Sequence, residues 1–174
     1  MIPPESEVGF TTYLHFSSPC PLGGALLGEG MRLDPGSMET ERKKTVQKRV
    51  INTTKGPEAK GPYSTVVCHG NIAYVSGQGT LDPATGQFVR GSIEEQTERV
   101  LENLKLILEE IGSGLEYVLK TTVYLSDMDN FAAMNEVYAR YMGPNFPART
   151  CIQAGRLPFD MGVEIEVIAE IPEE

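Results

Sequence analysis

Cysteine and histidine are both scarce in this chain. Its three cysteines (Cys20, Cys68 and Cys151) and two histidines (His15 and His69) are spread over 174 residues. An odd number of widely spaced thiols does not lay out a disulfide framework. With no C-x-x-C pair and no clustered imidazoles, no zinc set is laid out either, and no metal is expected. A reducing cytoplasm is the expected compartment. Cys68 and His69 are neighbours and, on a strand, would point to opposite faces. No apolar run approaches the roughly 18 residues a membrane span needs, so no membrane partner is expected. Basic residues are also in deficit. Lys and Arg number 15 against 24 Asp and Glu, the net charge is −9 and the pI is about 4.8. Such a protein repels polyphosphate on average, and no nucleic-acid partner is expected. The one basic cluster is Arg42-Lys43-Lys44. The glycines between Gly77 and Gly86 do not form G-x-G-x-x-G, so no phosphate loop is implied.

The length suits one ordinary domain, and 40% hydrophobic with 22% charged residues is a normal soluble globular balance. Composition changes near residue 40. Residues 1 to 37 are rich in Pro, Gly and Ser and lack periodicity. The mildly apolar stretch from Tyr13 to Gly28 follows Glu5 and Glu7, not the positive flank of a secretory signal. Arg32 alone is too little for a mitochondrial presequence. Gly36-Ser37-Met38 reads as a joining scar or as the approach to an internal start at Met38. Residues 1–43 are therefore expected to be a dispensable, poorly ordered extension, and residues 44–174 the folded domain.

From there the pattern is dense. Thr45 to Ile51 reads as a first strand, and Ser64 to Cys68 and Ile72 to Ser76 as a hairpin about His69-Gly70-Asn71. Asp82-Pro83-Ala84-Thr85-Gly86 has strong turn chemistry. A long helix follows. Ser92 and Glu95 form a capping box, and Ile93, Val100, Leu101, Leu104, Ile107, Leu108 and Ile111 make its apolar face. Glu95 and Arg99 are spaced as an i,i+4 pair, and Gly112 and Gly114 end the helix. Tyr117 to Leu125 is β-rich. A second helix is expected from Ser126 or Asp127 with a buried stripe of Phe131, Met134, Tyr138 and Tyr141, stopped by Asn145-Phe146-Pro147. Pro147 to Ala154 and Val163 to Ile171 are the last strands. In the final strand Val163, Ile165, Val167, Ala169 and Ile171 alternate with Glu164, Glu166 and Glu170. The order β-β-β-α-β-α-β-β predicts a single α+β domain whose sheet carries both helices on one face.

Four segments carry a more specific pattern: GPYS at 61–64, VSGQ at 75–78, KTTVYLSDMDNFAAMNEVY at 120–138 and FPARTCIQAGRLPFDMGVEIEVIAEI at 146–171. In this order they closely resemble the RidA (YjgF-type) family over residues of about 45–174. The resemblance implies a chorismate-mutase-like trimeric barrel, a homotrimer with sheets lining the barrel, helices outside and active sites between adjacent subunits. It implies hydrolytic deamination of 2-imino acids (2-iminobutanoate and 2-iminopropanoate) to 2-keto acids and ammonia, without a cofactor and with a small imino or keto acid as ligand. It names Arg149, Glu164 and Cys151 as the catalytic residues, with Arg149 on the substrate carboxylate and Glu164 positioning water. Substrate contacts fall to Tyr63, Ser76, Gly77, Asn135 and Thr150. Thr150 stands where many relatives carry Ser and keeps the hydroxyl. Gln153 and Gly155 are the positions expected to reshape the pocket.

The residue types suit that chemistry. Arg149, Cys151 and Gln153 share one face of a strand, and Glu164 and Glu166 share one face of the next. If those strands pair antiparallel, an arginine and a carboxylate can face one cleft. A guanidinium fork matches a carboxylate with two parallel hydrogen bonds, and a glutamate can aim a water and move protons. Blander readings stand beside these. Arg149 can form a structural ion pair with Glu164 or Glu166. Cys151 can be a small buried hydrophobe, with no His placed to activate it. Tyr63 can pack on its own Gly-Pro turn. Asn135 can bond a neighbouring subunit or cap a loop. Arg156 can be a plain loop cation. A non-catalytic ligand-binding or regulatory protein of chaperone or translation-inhibitor type, using the same cleft, is the competing function. A relative acting on another imine, enamine or carbamate-like substrate is a third. The arginine favours the deaminase, and the acidic charge weighs against a ribonuclease.

Overall fold

The computed structural model describes residues 47–173, so the expected extension, Cys20, His15 and the first two residues of the expected opening strand lie outside the described residues. The strands are β1 (Lys48–Ile51), β2 (Val66–His69), β3 (Ile72–Gln78), β4 (Val118–Leu125), β5 (Ala148–Gln153) and β6 (Val163–Glu170). Helix α1 (Ile93–Glu110) lies between β3 and β4, and α2 (Phe131–Met142) between β4 and β5. Elements therefore follow one another as the sequence predicts. The β2–β3 hairpin closes on Gly70-Asn71, with Gly70 at φ 64°, a left-handed value glycine takes without a Cβ clash. Cys68 points into the core and its neighbour His69 to solvent, as strand alternation requires.

The six strands lie in the order β1-β2-β3-β6-β4-β5. All pairs are antiparallel except β4 with β5. The last two strands therefore do not pair with each other, and the condition under which Arg149 and Glu164 could face one cleft within a single chain is not met. The β4–α2–β5 segment is a crossover unit that returns the chain parallel to β4, which places β5 on the edge. β6 takes the centre because its Val163, Ile165, Val167 and Ala169 make an unbroken buried row. The opposite edge, β1, carries exposed Lys48 and Arg49, charges that discourage further strand pairing.

Both helices pack on the same face as that buried row. The α1 capping box forms as expected: Glu95 N–H donates to Ser92 Oγ at 3.3 Å, and Ser92 N–H donates to Glu95 Oε2 at 2.8 Å. Glu95 is thereby committed to its own helix end, and Arg99 turns to Asp82 at 3.8 Å instead of forming the expected i,i+4 pair. Val100, Leu101, Leu104, Ile107 and Leu108 are fully buried, each worth roughly 1.5–3 kcal/mol in removed apolar surface. Gly112, at φ 79°, ends the helix.

The second helix differs more from expectation. Asp127 caps a short 3-10 turn over Met128–Asn130, accepting from Asp129 N–H at 3.0 Å, and α2 begins only at Phe131. Its buried stripe is Met134, Val137, Tyr138 and Met142. Phe131, in the first turn, faces Arg149 and stays 38% exposed, while the half-buried Tyr141 reaches back to Glu102 on α1 at 2.7 Å.

Among the described residues no helix covers the other face of the sheet. There Tyr124 lies across from Glu164 and Thr122 across from Glu166, and the large side chains of Tyr74 and Ile152 remain 49% and 45% exposed.

Candidate functional site

Glu164 projects from β6 onto this open face, half-buried. Beside it the β3–β6 register shifts between Val75 and Gln78, and this irregularity re-aims Ser76 and Gly77. Ser76 is pinned to the preceding loop: its N–H donates to Thr65 O at 3.0 Å and its hydroxyl to Ser64 O at 2.7 Å. Gly77 leaves room for the Glu164 carboxylate to lie against the backbone, and any Cβ there would collide with it. The result is a pocket of about 290 Å³ whose floor includes Ser76, Gly77 and Glu164 and whose rim includes Tyr63, Phe88 and Phe159. Tyr63 stands 52% exposed on its Gly-Pro turn, its hydroxyl accepting from Lys60 N–H at 3.3 Å.

The electrostatics of Glu164 follow from this setting. Burial, and then the nearby Glu166 carboxylate, push its pKa above the usual glutamate value. Among the described residues no donor lies within hydrogen-bond reach of it. A carboxylate so placed is free to accept a hydrogen bond from a ligand or a water, and its raised pKa makes it a better proton acceptor than an ordinary glutamate.

Arg149 occupies a different setting. It lies on the edge strand β5, beside Thr121 of β4, with its side chain on the helix face. Its Nη1 donates to Asn135 Oδ1 at 2.7 Å, and its guanidinium carbon lies 4.6 Å from the Tyr138 ring centroid and 5.7 Å from that of Phe131. Tyr138 is held in turn by a 2.8 Å hydrogen bond with Thr121 Oγ1. Among the described residues no carboxylate comes within ion-pair distance of Arg149. The structural pairing with Glu164 or Glu166 is therefore not formed, because β4 intervenes and the side chains leave opposite faces. Cys151 is half-buried on the Arg149 face, and burial pushes its thiol pKa up, with Arg149 offsetting part of the rise. It is a thiol at neutral pH, not a thiolate nucleophile.

The structure therefore gathers the sequence-derived residues into two groups. Tyr63, Ser76, Gly77 and Glu164 share one pocket, while Arg149, Asn135 and Cys151 cluster at the β5 edge. Within one chain the two groups lie on opposite sides of the sheet. Thr150 joins neither, since it turns to the open face and accepts from Lys120 Nζ at 3.0 Å. Gln153 and Gly155 do not line the pocket: Gln153 accepts from Met128 N–H at 3.0 Å, and Gly155 has no close neighbours. Arg156 pairs with Asp160 at 2.8 Å on the exposed loop before β6. Three contributors carry no site signal in the sequence. Tyr138 has the spacing of a core residue, Phe88 follows the Asp82–Gly86 turn, and Phe159 lies in the 146–171 segment without a role that its residue type announces.

An α+β fold with an amphiphilic pocket at a sheet irregularity and, among the described residues, an arginine free of carboxylates is the build of a small-ligand-binding protein. The family described as Endoribonuclease L-PSP matches residues 53–171. A RutC family protein of Pyrococcus abyssi is 52% identical over 122 residues, covering 70% of this chain and 96% of that protein. The human 2-iminobutanoate/2-iminopropanoate deaminase is 43% identical over 122 residues, covering 70% of this chain and 89% of that protein. Among solved structures, that of E. coli TdcF with bound serine superposes with a TM-score of 0.66 at 36% identity, covering 70% of this chain and 98% of that one. The chain belongs to the Endoribonuclease L-PSP family, the RidA (YjgF-type) family of the sequence resemblance.

Proposed function

We propose that this protein hydrolyses 2-imino acids to 2-keto acids and ammonia in clefts formed between copies of itself. One observation carries the reading. Arg149 is a half-buried arginine held by an amide and two aromatic faces, with no carboxylate partner among the described residues. Its remaining donors match the carboxylate that every 2-imino acid carries beside its C=N carbon. The human relative's name supports this reading. So does the serine bound in the TdcF structure, which carries the same carboxylate next to a C–N carbon.

Since Arg149 and Glu164 leave opposite faces of one sheet, the reading requires the Arg149 edge of one copy to meet the Glu164 pocket of the next. Three copies closing a ring, as the family resemblance implies, supply three such clefts and cover the exposed Tyr74 and Ile152. In the cleft, Arg149 anchors the carboxylate and Asn135 steadies the guanidinium. Glu164 accepts a proton from a water as its oxygen bonds to the imine carbon, giving a carbinolamine. Glu164 then gives that proton to nitrogen, the C–N bond breaks as the carboxylate takes the hydroxyl proton, and ammonia leaves a carbonyl behind and carries that proton off as ammonium. Tyr63, Ser76 and Gly77 shape the binding space, and Cys151 is a wall. No metal or organic cofactor is needed for this path, because a protonated imine is already electrophilic. The small thiol count makes the cytoplasm the proposed compartment, and among the described residues no helix is long and apolar enough to cross a membrane.

The test generates 2-iminobutanoate or 2-iminopropanoate with an amino-acid dehydratase or oxidase and follows imine loss. The protein is expected to speed that loss, and Arg149→Ala to slow it about a hundredfold, the cost of leaving a bound carboxylate unpaired. Full activity in Arg149→Ala removes the arginine from the site. Ligand binding with no acceleration of any imine leaves the non-catalytic reading.

A further inference from the structure

The pocket beside Glu164 is chemically two-sided. Its floor is polar, around Ser76, Gly77 and the Glu164 carboxylate, while Leu81, Phe88, Phe159 and Met161 make its outer wall apolar. Phe88 and Phe159 stack with ring centroids 4.6 Å apart and planes at 28°, and Arg90 lies over the Phe88 ring at 5.9 Å.

The Phe159 backbone is the most unusual in the described chain. Phe159 has φ 56° and ψ 21°, and Asp160 follows at φ 55°. Both are left-handed conformations that disfavour a residue with a Cβ, and a bulky one above all. Strain of this kind persists only where surrounding contacts over-determine it. Here the Arg156–Asp160 pair, the Asp160 N–H to Leu157 O bond at 3.2 Å and the Phe88 stack hold it. The strained turn delivers an aromatic ring, still 54% exposed, to the pocket rim. Folding alone gains little from a ring left in water, whereas a ligand side chain laid against the pair would bury it.

We propose that Phe88 and Phe159 form a side-chain subsite, so that this protein prefers 2-imino acids with aromatic or long apolar side chains over the methyl-bearing one. This specificity rests on the deaminase reading. With the reacting carbon beside Glu164 on the polar floor, the substituent opposite the carboxylate runs toward the ring pair. A methyl group stops short of the rings and leaves them wet.

The test compares imines released from L-phenylalanine and L-alanine by an L-amino-acid oxidase, read as the ratio of their kcat/KM values. Wild type is set against Phe88→Ala and Phe159→Gly. The glycine variant removes the ring while keeping a backbone conformation that glycine adopts freely. The expected ratio favours the phenylalanine-derived imine and falls about tenfold in both variants. An unchanged ratio in the variants, or a wild type that prefers the alanine-derived imine, overturns the subsite and leaves the deaminase reading standing. If neither imine is hydrolysed faster than in buffer, the deaminase reading fails by itself, and calorimetric titration with phenylpyruvate and pyruvate decides the subsite. Tighter binding of phenylpyruvate that Phe159→Gly abolishes supports it, and equal binding of the two acids overturns it.

Discussion

The guanidinium of Arg149 lies 4.6 Å from the centroid of the Tyr138 ring, a buried ring whose hydroxyl is tied to Thr121. The edge of a sheet would otherwise leave a long cationic side chain to wander in water. An aromatic face beneath and the Asn135 amide beside it hold the fork in one orientation.

Tyr138 is accordingly a positioning residue whose ring and hydroxyl have separable effects. Tyr138→Phe keeps the ring and loses the Thr121 bond, so stability should fall by about 1 kcal/mol with KM unchanged. Tyr138→Leu removes the ring, and KM for imino acids should rise about 3- to 30-fold, the worth of a partly desolvated cation–π contact. Steady-state kinetics and thermal melts of the two variants check this. Equal KM values would show that the ring does not orient the arginine.

Glu164 should leave a signature in pH. Its folded-state pKa is raised by burial and by Glu166, so the pocket tolerates the neutral carboxyl and penalises the carboxylate. Below the ordinary carboxylate range both folded and unfolded chains are protonated and there is no penalty. As pH rises through the raised value, stability is lost. Glu164→Gln removes the titration. The variant's melting midpoint should match wild type below about pH 4, exceed it as pH rises through the raised value, and keep a constant lead above it. Activity should fall about 10²- to 10⁴-fold, as for the loss of a general base. Melts across the pH range decide the matter; a wild type that gains on the variant as pH rises would mean the carboxylate has a partner.

Gly77 tests the packing of the pocket floor. Its backbone is not left-handed, so the effect of a methyl group is purely steric. Gly77→Ala should drive the Glu164 carboxylate off its resting place and abolish most activity, with little loss of stability, because the colliding atoms end a flexible, half-buried side chain. A crystal structure of the variant would show the carboxylate displaced. An unmoved Glu164 with wild-type turnover would show that the contact constrains nothing.

Much of the fold was readable before any coordinates. The α1 stripe, its Ser92–Glu95 cap, the Gly70-Asn71 hairpin and the alternation of β6 all formed, because each depends on contacts a few residues apart in the chain. The start of α2 was missed because Asp127 caps a 3-10 turn as readily as an α-helix, and only packing over β4 decides where the helical register begins. Candidate residues such as Arg149, Asn135, Ser76 and Glu164 stand in the motifs that carry the family resemblance, whereas the contacts that group Arg149 with Asn135 and Tyr138, and Glu164 with Ser76 and Gly77, form only in three dimensions.

The amino-acid sequence alone determined the element order, the buried faces of α1 and β6 and the residue types available for chemistry, since all three follow from local periodicity and side-chain character. Which strand lies beside which, and hence that Arg149 and Glu164 leave opposite faces of one sheet, was decided only in three dimensions. Strand order is set by competition among distant segments for the centre of the sheet. β6 wins it with its continuous apolar row and comes between β3 and β4, leaving β5 and its arginine at the rim.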